Sequence, residues 1–280
     1  MAQSAPRHRV VYFSVGGSTA KVAGWIREEL EARGQAVEMV DITLAAEAHA
    51  APAPDSACLW LLSPVYAMHP APPVCEFLRT LDPAPAGCAA VPVATYGVVC
   101  SGVVLSEMGG QLVEKGYRLA GAAKVVCQHS MLWYSPTPLG QGRPDQDDEA
   151  VVRALAGRVA AKLASAEAWT ALDLTALNYQ PPQIQALAPT RNVSLLRSLF
   201  PPMRLEPESC DECGLCAESC FTHSITMDPK PIFGPECLYC LNCARICPNQ
   251  AISNPILAGL EQELRSRAET FGEPAVTLPF

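Results

Sequence analysis

The C-terminal part of the chain contains two related stretches, CDECGLCAESCF at residues 210–221 and CLYCLNCARICP at residues 237–248. In both stretches the four cysteines are separated by two, two and three residues. The match extends beyond the cysteines, since Ile225 follows the first run at the same distance as Ile252 follows the second. A repeated unit with fixed cysteine spacing indicates an internal duplication of a metal-binding segment.

The spacing favours iron–sulfur clusters as the bound metal. Three thiolates separated by two residues reach three irons of one [4Fe–4S] cluster, whereas the fourth cysteine points away and ligates the other cluster. This crossover assigns one cluster to Cys210, Cys213, Cys216 and Cys247. It assigns the second cluster to Cys220, Cys237, Cys240 and Cys243. Structural zinc is the alternative, because C-x2-C pairs also bind zinc.

The region from Leu205 to Asn254 resembles the bacterial-type ferredoxins that carry two [4Fe–4S] clusters. The resemblance implies a small α+β domain with an electron-transfer role. The second run has the proline that usually follows the fourth cysteine, Pro248, whereas Phe221 occupies that place in the first run. Because this proline supplies no ligand, we expect Phe221 to affect potential and packing more than cluster binding.

The composition favours a globular protein of the cytoplasm. No uninterrupted apolar run of about 18 residues is present, and residues 1–9 are polar and basic, so we expect neither a transmembrane helix nor a secretory signal. The net charge of −8 argues against nucleic acid and anionic membranes as partners. The acid-rich residues 205–250 are consistent either with ordinary solvation or with a docking face for a basic redox protein.

Five of the 13 cysteines lie outside the two runs and show no ligand spacing. They are Cys58, Cys75, Cys88, Cys100 and Cys127. Most fall within or beside apolar segments, which is typical of buried structural thiols.

The front of the chain alternates strand-like and helix-like segments. Apolar strand-like runs cover residues 10–14, 36–41, 57–63, 89–96 and 122–128, and helical patterning covers residues 21–33, 73–81, 102–115 and 146–165. Such alternation predicts an α/β doubly wound parallel sheet that binds ligands at the carboxyl ends of its strands. We expect this domain to cover residues 1–166, followed by a loosely packed linker at 167–203, the ferredoxin-like domain at 204–256 and a C-terminal helical tail at 257–280.

A Gly/Ser-rich turn at residues 14–19 joins the first strand to the first helix. Backbone N–H groups at a helix N-terminus favour a bound anion. The turn contains no lysine or arginine, and it has neither a nucleoside-triphosphate loop nor a G-x-G-x-x-G motif. We therefore expect neutral donors alone to hold a phosphate, which suits flavin mononucleotide (FMN).

This turn resembles the phosphate loop of flavodoxins, Ser/Thr-x-Thr-Gly-Asn-Thr, with Gly16 in place of the middle threonine and Ser18 in place of the asparagine. Two further segments, residues 63–66 and 95–97, resemble the ring-binding loops of flavodoxins. The resemblance implies an FMN site formed by Ser14, Val15, Gly16, Gly17, Ser18, Thr19, Ser63, Pro64, Val65, Tyr66, Thr95, Tyr96 and Gly97. Tyr66, Tyr96 or Trp133 would stack on the isoalloxazine ring, and core packing is the alternative for each.

The whole chain resembles the flavodoxin–ferredoxin fusion proteins. Because a flavin exchanges one or two electrons and each cluster exchanges one, the leading hypothesis is a relay between the clusters and FMN, with a separate redox protein as donor or acceptor. No catalytic residue is identified, since the sequence shows no nucleophile triad, carboxylate pair or HExxH helix. Two alternatives stay open: a flavin-dependent reductase of a specific small molecule, and a redox module whose first domain lacks flavin.

Overall fold

The structure is a computed structural model that describes residues 7–44, 56–165 and 168–280. The expected boundary at residues 166 and 167 lies outside the described residues, as do residues 1–6 of the first domain.

A mostly parallel sheet forms the centre of the first domain. Its strands are β1 (Arg7–Tyr12), β2 (Ala36–Asp41), β3 (Ser56–Tyr66), β4 (His69–Pro70), β5 (Ala89–Tyr96), β6 (Arg118–Leu119) and β7 (Ala123–Val126). The five main strands run parallel in the order β2-β1-β3-β5-β7. This is the flavodoxin-like order of doubly wound sheets, so the α/β prediction is confirmed for this domain. Strand β5 is buried along its whole length, as expected for a strand covered by helices on both faces.

Four helices cover the two faces of the sheet: α1 (Ser18–Ala32), α2 (Pro72–Thr80), α3 (Val104–Glu114) and α4 (Gln146–Ala164). Helices α1 and α4 pack around Trp60 on one face, and α2 and α3 pack around Leu61 on the other. Helix α1 begins three residues earlier than the sequence pattern predicts, because Gly17 adopts a left-handed φ of 89° that only glycine tolerates easily.

The connector is packed more closely than the sequence predicts. It contains two short helices, α5 (Pro182–Leu187) and α6 (Val193–Leu199), with a 3₁₀ turn before each. Leu177, Ile184 and Ala188 are buried. The ring of His69 fastens the connector to the sheet domain, since its Nε2 donates to the carbonyl oxygen of Ala188 at 2.9 Å. The prolines of the connector suggest a loosely packed segment. Buried apolar side chains between them pack it against the first domain instead.

Residues 204–256, here called the cysteine unit, fold as two similar halves. Their elements are β8 (Arg204–Leu205), α7 (Leu215–Glu218), β9 (Ile225–Asp228), β10 (Lys230–Phe233), α8 (Asn242–Ile246) and β11 (Ile252–Ser253). Strand β8 pairs with β11, and β9 pairs with β10, both antiparallel. Helices α7 and α8 each contain the third cysteine of their run.

The duplication extends to the backbone conformation of the cysteine unit. Left-handed φ angles occur at three matched pairs of positions: Glu212 with Tyr239, Gly214 with Leu241, and His223 with Gln250. Five of these six residues carry side chains, for which this conformation is unfavourable. Repeated strain at equivalent positions shows that both cysteine loops are shaped in the same way.

The C-terminal segment returns to the sheet domain. Helix α9 (Leu257–Phe271) is followed by strand β12 (Leu278–Pro279), which pairs antiparallel with the edge strand β7. Between them, Glu273 Oε1 lies 2.5 Å from Nζ of Lys124, and both side chains are buried. The tail is therefore helical only in its first part. No helix in the described ranges is long and apolar enough to cross a membrane.

Candidate functional site

A cavity of about 270 Å³ lies where the first domain, the connector, the cysteine unit and α9 meet. All three loops expected to bind FMN contribute to its wall. The residues of these loops that line it are Val15, Gly16, Ser18, Thr19, Pro64, Val65, Tyr66, Thr95, Tyr96 and Gly97. The three other expected residues, Ser14, Gly17 and Ser63, do not line the cavity. The strand order brings the loops together, because they follow β1, β3 and β5 at the same edge of the sheet.

Hydrogen bonds of Ser14 fix the shape of the anion loop, residues 14–19. The Ser14 hydroxyl accepts the N–H of Ala20 at 2.9 Å, and the N–H of Ser14 donates to Oγ1 of Thr43 at 2.9 Å. Within the part of the chain that the structure describes, the backbone N–H groups of residues 15–19 form no hydrogen bond. Unpaired donors at the start of a 15-residue helix fit a bound phosphate.

The loop after β3 is fixed by a buried serine. Ser63 Oγ donates to the carbonyl oxygen of Pro64 and accepts the N–H of Ala71, both at 2.9 Å. Two successive residues beyond it, Ala67 and Met68, have left-handed φ angles of 48° and 77°. Ser63 therefore shapes the loop, which turns sharply at the cavity.

The loop after β5 requires glycine at one position. A side chain on Gly97 would lie 2.7–2.9 Å from atoms of His129, which also lines the cavity. Burial lowers the pKa of His129 to about 4, so its imidazole is neutral at pH 7. Gly97 therefore packs closely against the His129 ring, and this part of the cavity wall carries no charge at pH 7.

The three candidate stacking residues have different surroundings. Tyr96 is tied to the C-terminal segment, since its hydroxyl lies 3.0 Å from the carbonyl oxygen of Pro274 and 2.9 Å from that of Val276. Trp133 does not line the cavity and packs against Tyr134 with ring centroids 5.4 Å apart. Tyr66 lines the cavity, and burial followed by the nearby Cys240 raises the pKa of its hydroxyl. Tyr66 therefore lies between the sheet domain and the second cysteine run.

None of the eight cysteines of the two runs forms a disulfide bond, and their electrostatic neighbours fall into two sets. The pKa of Cys243 is raised by burial and then by Cys240, Cys237 and Cys220. Burial raises the pKa of Cys240 to about 11, an effect to which Cys237 and Cys220 add. This grouping joins the last cysteine of the first run to the first three of the second.

The other four cysteines form the second set. The pKa of Cys216 is raised mainly by burial, with further contributions from Cys213 and Cys210. For Cys213, the Leu215 N–H lowers the pKa, whereas Asp211, burial and Cys247 raise it, and the net change is upward. Cys247 is thus an electrostatic neighbour of the first run, and Cys220 of the second. In the described ranges, no group of three or more His, Cys, Asp or Glu side chains is placed to hold a single metal ion.

Backbone N–H groups approach two of these sulfurs. The N–H of Tyr239 donates to Sγ of Cys237 at 3.4 Å, and the N–H of Ala251 donates to Sγ of Cys247 at 3.3 Å. Such hydrogen bonds stabilise thiolates and raise the potential of a bound cluster. Two sets of four thiols in strained, matched loops have the donor chemistry of two [4Fe–4S] clusters.

Contacts between the cysteine unit and the first domain complete the site. Cys240, Asn242 and Arg245 line the cavity, and Nη2 of Arg245 donates to the carbonyl oxygen of Val15 at 3.0 Å. Neither Arg245 nor the part of the wall formed by α6 and α9 is predicted from the sequence. No local pattern relates Arg245 to a loop 230 residues away.

The sequence matches no protein-family model and no curated protein. Among solved structures, the chain is similar to a flavodoxin from the domain Archaea, with 17% identity and a TM-score of 0.44 over 57% of this chain and 99% of that chain. It is similar to an NADH:FMN oxidoreductase, EmoB, with 17% identity and a TM-score of 0.45 over 58% and 91% of the two chains.

A further similarity is to the rubredoxin oxygen:oxidoreductase of Desulfovibrio gigas, with 16% identity and a TM-score of 0.44 over 57% of this chain. The chain spans 37% of the length of that protein. The fold assignment of the first domain rests on its own strand order.

Proposed function

We propose that the chain is an electron carrier that relays single electrons between two [4Fe–4S] clusters and an FMN bound in the junction cavity. One observation carries this proposal: the three flavodoxin-like loops and Cys240 line the same cavity. A cofactor held by those loops therefore lies beside a cysteine that would ligate a cluster.

The two sets of cysteines have different positions relative to the cavity. The inner set is Cys220, Cys237, Cys240 and Cys243, and its member Cys240 lies beside Tyr66 at the cavity. The outer set is Cys210, Cys213, Cys216 and Cys247, and its member Cys213 is exposed. When bound, the clusters exchange one electron each and the flavin exchanges one or two, so the chain would convert between single and paired electrons.

Side chains of the connector and α9 cover the cavity. Leu195 and Leu196 of α6 and Leu260 and Leu264 of α9 line its wall, and the last two are buried. When FMN is bound, these apolar side chains would shield part of its ring from water and from proteins in solution. Electrons are then directed through the cysteine unit.

The outer set faces a surface suited to a redox partner. Asp211 and Glu212 are exposed beside Cys213, and Leu215 has an exposed fraction of 43%. Acidic side chains around an apolar contact would attract a basic redox protein and speed its association more than they tighten the complex. The association rate should therefore fall as ionic strength rises.

Reduction of the flavin through the clusters tests the proposal. Anaerobic protein is mixed with a low-potential one-electron protein donor, and flavin reduction is followed by its loss of absorbance in wild type and Cys240→Ala. We expect the variant to retain FMN and to lose at least about tenfold in the rate. Cys75→Ala, which removes a thiol outside both sets, serves as the matched control and should behave as wild type. Equal rates in wild type and Cys240→Ala would contradict the relay.

The same cavity also favours a second function, the reduction of a small organic anion. The side chain of Arg191 lines the cavity and has no hydrogen bond or ion pair in the described ranges. It would bind a carboxylate or phosphate of an acceptor beside the flavin loops. Sustained turnover of such an anion, lost in Arg191→Gln while reduction of generic dyes is unchanged, would favour the reductase.

A further inference from the structure

Arg245 lies in the second cysteine run, yet its guanidinium contacts the anion loop of the first domain. Nη2 donates to the Val15 carbonyl oxygen at 3.0 Å and to Oδ1 of Asn242 at 2.6 Å. Nε donates to the same Asn242 oxygen at 3.2 Å. Because Asn242 is buried, its amide fixes the plane and direction of the guanidinium.

The guanidinium keeps two donors for a ligand. An arginine side chain carries five N–H groups, and the contacts above use those of Nε and Nη2. In the described part of the molecule, Nη1 forms no hydrogen bond. Since Arg245 lines the cavity together with Gly16, Ser18 and Thr19, these two donors are available to an acceptor held by the anion loop.

Residues 14–19 include no basic side chain, so any positive charge at the anion loop comes from another segment. Three arginines line the cavity: Arg191, Arg245 and Arg267. Arg267 is already paired with Glu263, and Arg191 belongs to the connector. Of the three, Arg245 is the one that hydrogen-bonds the anion loop.

We infer that Arg245 completes the phosphate site, so that the cysteine unit supplies the cation for the phosphate of FMN bound to the first domain. This inference rests on the proposed function, because it takes FMN as the ligand of the cavity. Arginine binds phosphate through charge-assisted hydrogen bonds, which are about twice as strong as neutral ones. The second cysteine run then contributes to the affinity for FMN, while the loops of the first domain supply the remaining contacts.

A comparison of two flavins isolates the phosphate contact. Flavin-depleted protein with both clusters in place is titrated anaerobically with FMN and with riboflavin, which lacks the phosphate, and flavin fluorescence gives the dissociation constants. The variants are Arg245→Gln, Arg245→Lys and, as control, Arg79→Gln. Arg79 lies on α2 outside the cavity wall and its removal changes the net charge equally. Iron content and circular dichroism confirm that each variant is folded.

We expect Arg245→Gln to weaken FMN binding by about 10- to 100-fold and to leave riboflavin binding unchanged. Arg245→Lys should recover part of the loss, and Arg79→Gln should match wild type. Equal weakening of both flavins, or of neither, in Arg245→Gln would overturn the inference while leaving FMN binding to the chain intact. A wild-type chain that binds neither flavin would overturn the proposed function and this inference with it.

Discussion

The ring of Phe221 packs edge-on against Phe13, with centroids 4.8 Å apart and an interplanar angle of 75°. Phe221 occupies the place in the first cysteine run where ferredoxins usually have proline, and Phe13 lies fully buried directly after β1. Phe221 also packs against the apolar core of the first domain. The departure from the ferredoxin pattern is therefore a contact that docks the cysteine unit on the sheet domain.

Replacing Phe221 with Ala should loosen this docking without removing a cluster ligand. We expect the free energy of unfolding to fall by roughly 1–3 kcal/mol, because an aromatic pair and part of its apolar burial are lost. Thermal unfolding and iron content measure the two effects. Leu215→Ala, at an exposed position of the same unit, is the control. If Phe221→Ala lost iron while its free energy of unfolding stayed unchanged, the residue would instead shape the cluster loop.

Replacing Cys240 with Ala should remove one cluster and leave the flavin. Iron content should fall from about eight to about four atoms per chain, since the other set keeps all four thiols. Metal analysis on anaerobic protein, with flavin absorbance read from the same sample, gives both numbers. Unchanged iron content would disprove the assignment of ligands to the inner set.

Glu273 should be essential for holding the C-terminal segment. Hydrogen bonds from Lys124, Ser101 and Gln180 outweigh burial and hold its pKa below the ordinary value. Glu273→Gln leaves the ammonium of Lys124 buried without a counter-charge, which costs about 3–5 kcal/mol in comparable pairs. Urea unfolding measures the loss, and Glu269→Gln, exposed on α9, is the control. Similar stabilities for the two variants would contradict a structural role for the ion pair.

The hydrogen bonds that the His69 ring forms with Glu107 and Ala188 should make the free energy of unfolding depend on pH. Nδ1 lies 2.9 Å from Oε1 of Glu107, and Nε2 donates to Ala188. The hydrogen bond to Glu107 is the main cause of the raised pKa of His69, so the imidazolium form donates from both nitrogens.

Because the folded-state pKa of His69 exceeds about 6.5 for the unfolded chain, the stabilisation is complete below that pH and is lost as pH rises through the folded-state value. Wild type should be more stable than His69→Gln by about 1 kcal/mol near pH 5.5, and the difference should shrink at higher pH. Unfolding curves across this range measure it, with the exposed His223→Gln as control. A stability difference between wild type and His69→Gln that grows with pH would contradict this role of His69.

The sequence predicts those features that depend on local spacing. The gaps between cysteines predict the duplication that the backbone of the two loops shows, and apolar runs predict the five main strands to within a few residues. Strand β12 escapes prediction because Leu278 and Pro279 form too short a run to indicate a strand. The contact between Arg245 and Val15 is not predicted either. The two residues are 230 positions apart in the chain, and only tertiary packing brings them together.

Cofactor content after anaerobic purification and reconstitution tests the central claim most directly. Iron, sulfide and flavin are measured on the same full-length sample, with the flavin identified by chromatography after release. The relay predicts about eight irons and about one FMN per chain. A chain that binds about eight irons but takes up no FMN, and shows no flavin absorbance near 450 nm, would contradict it.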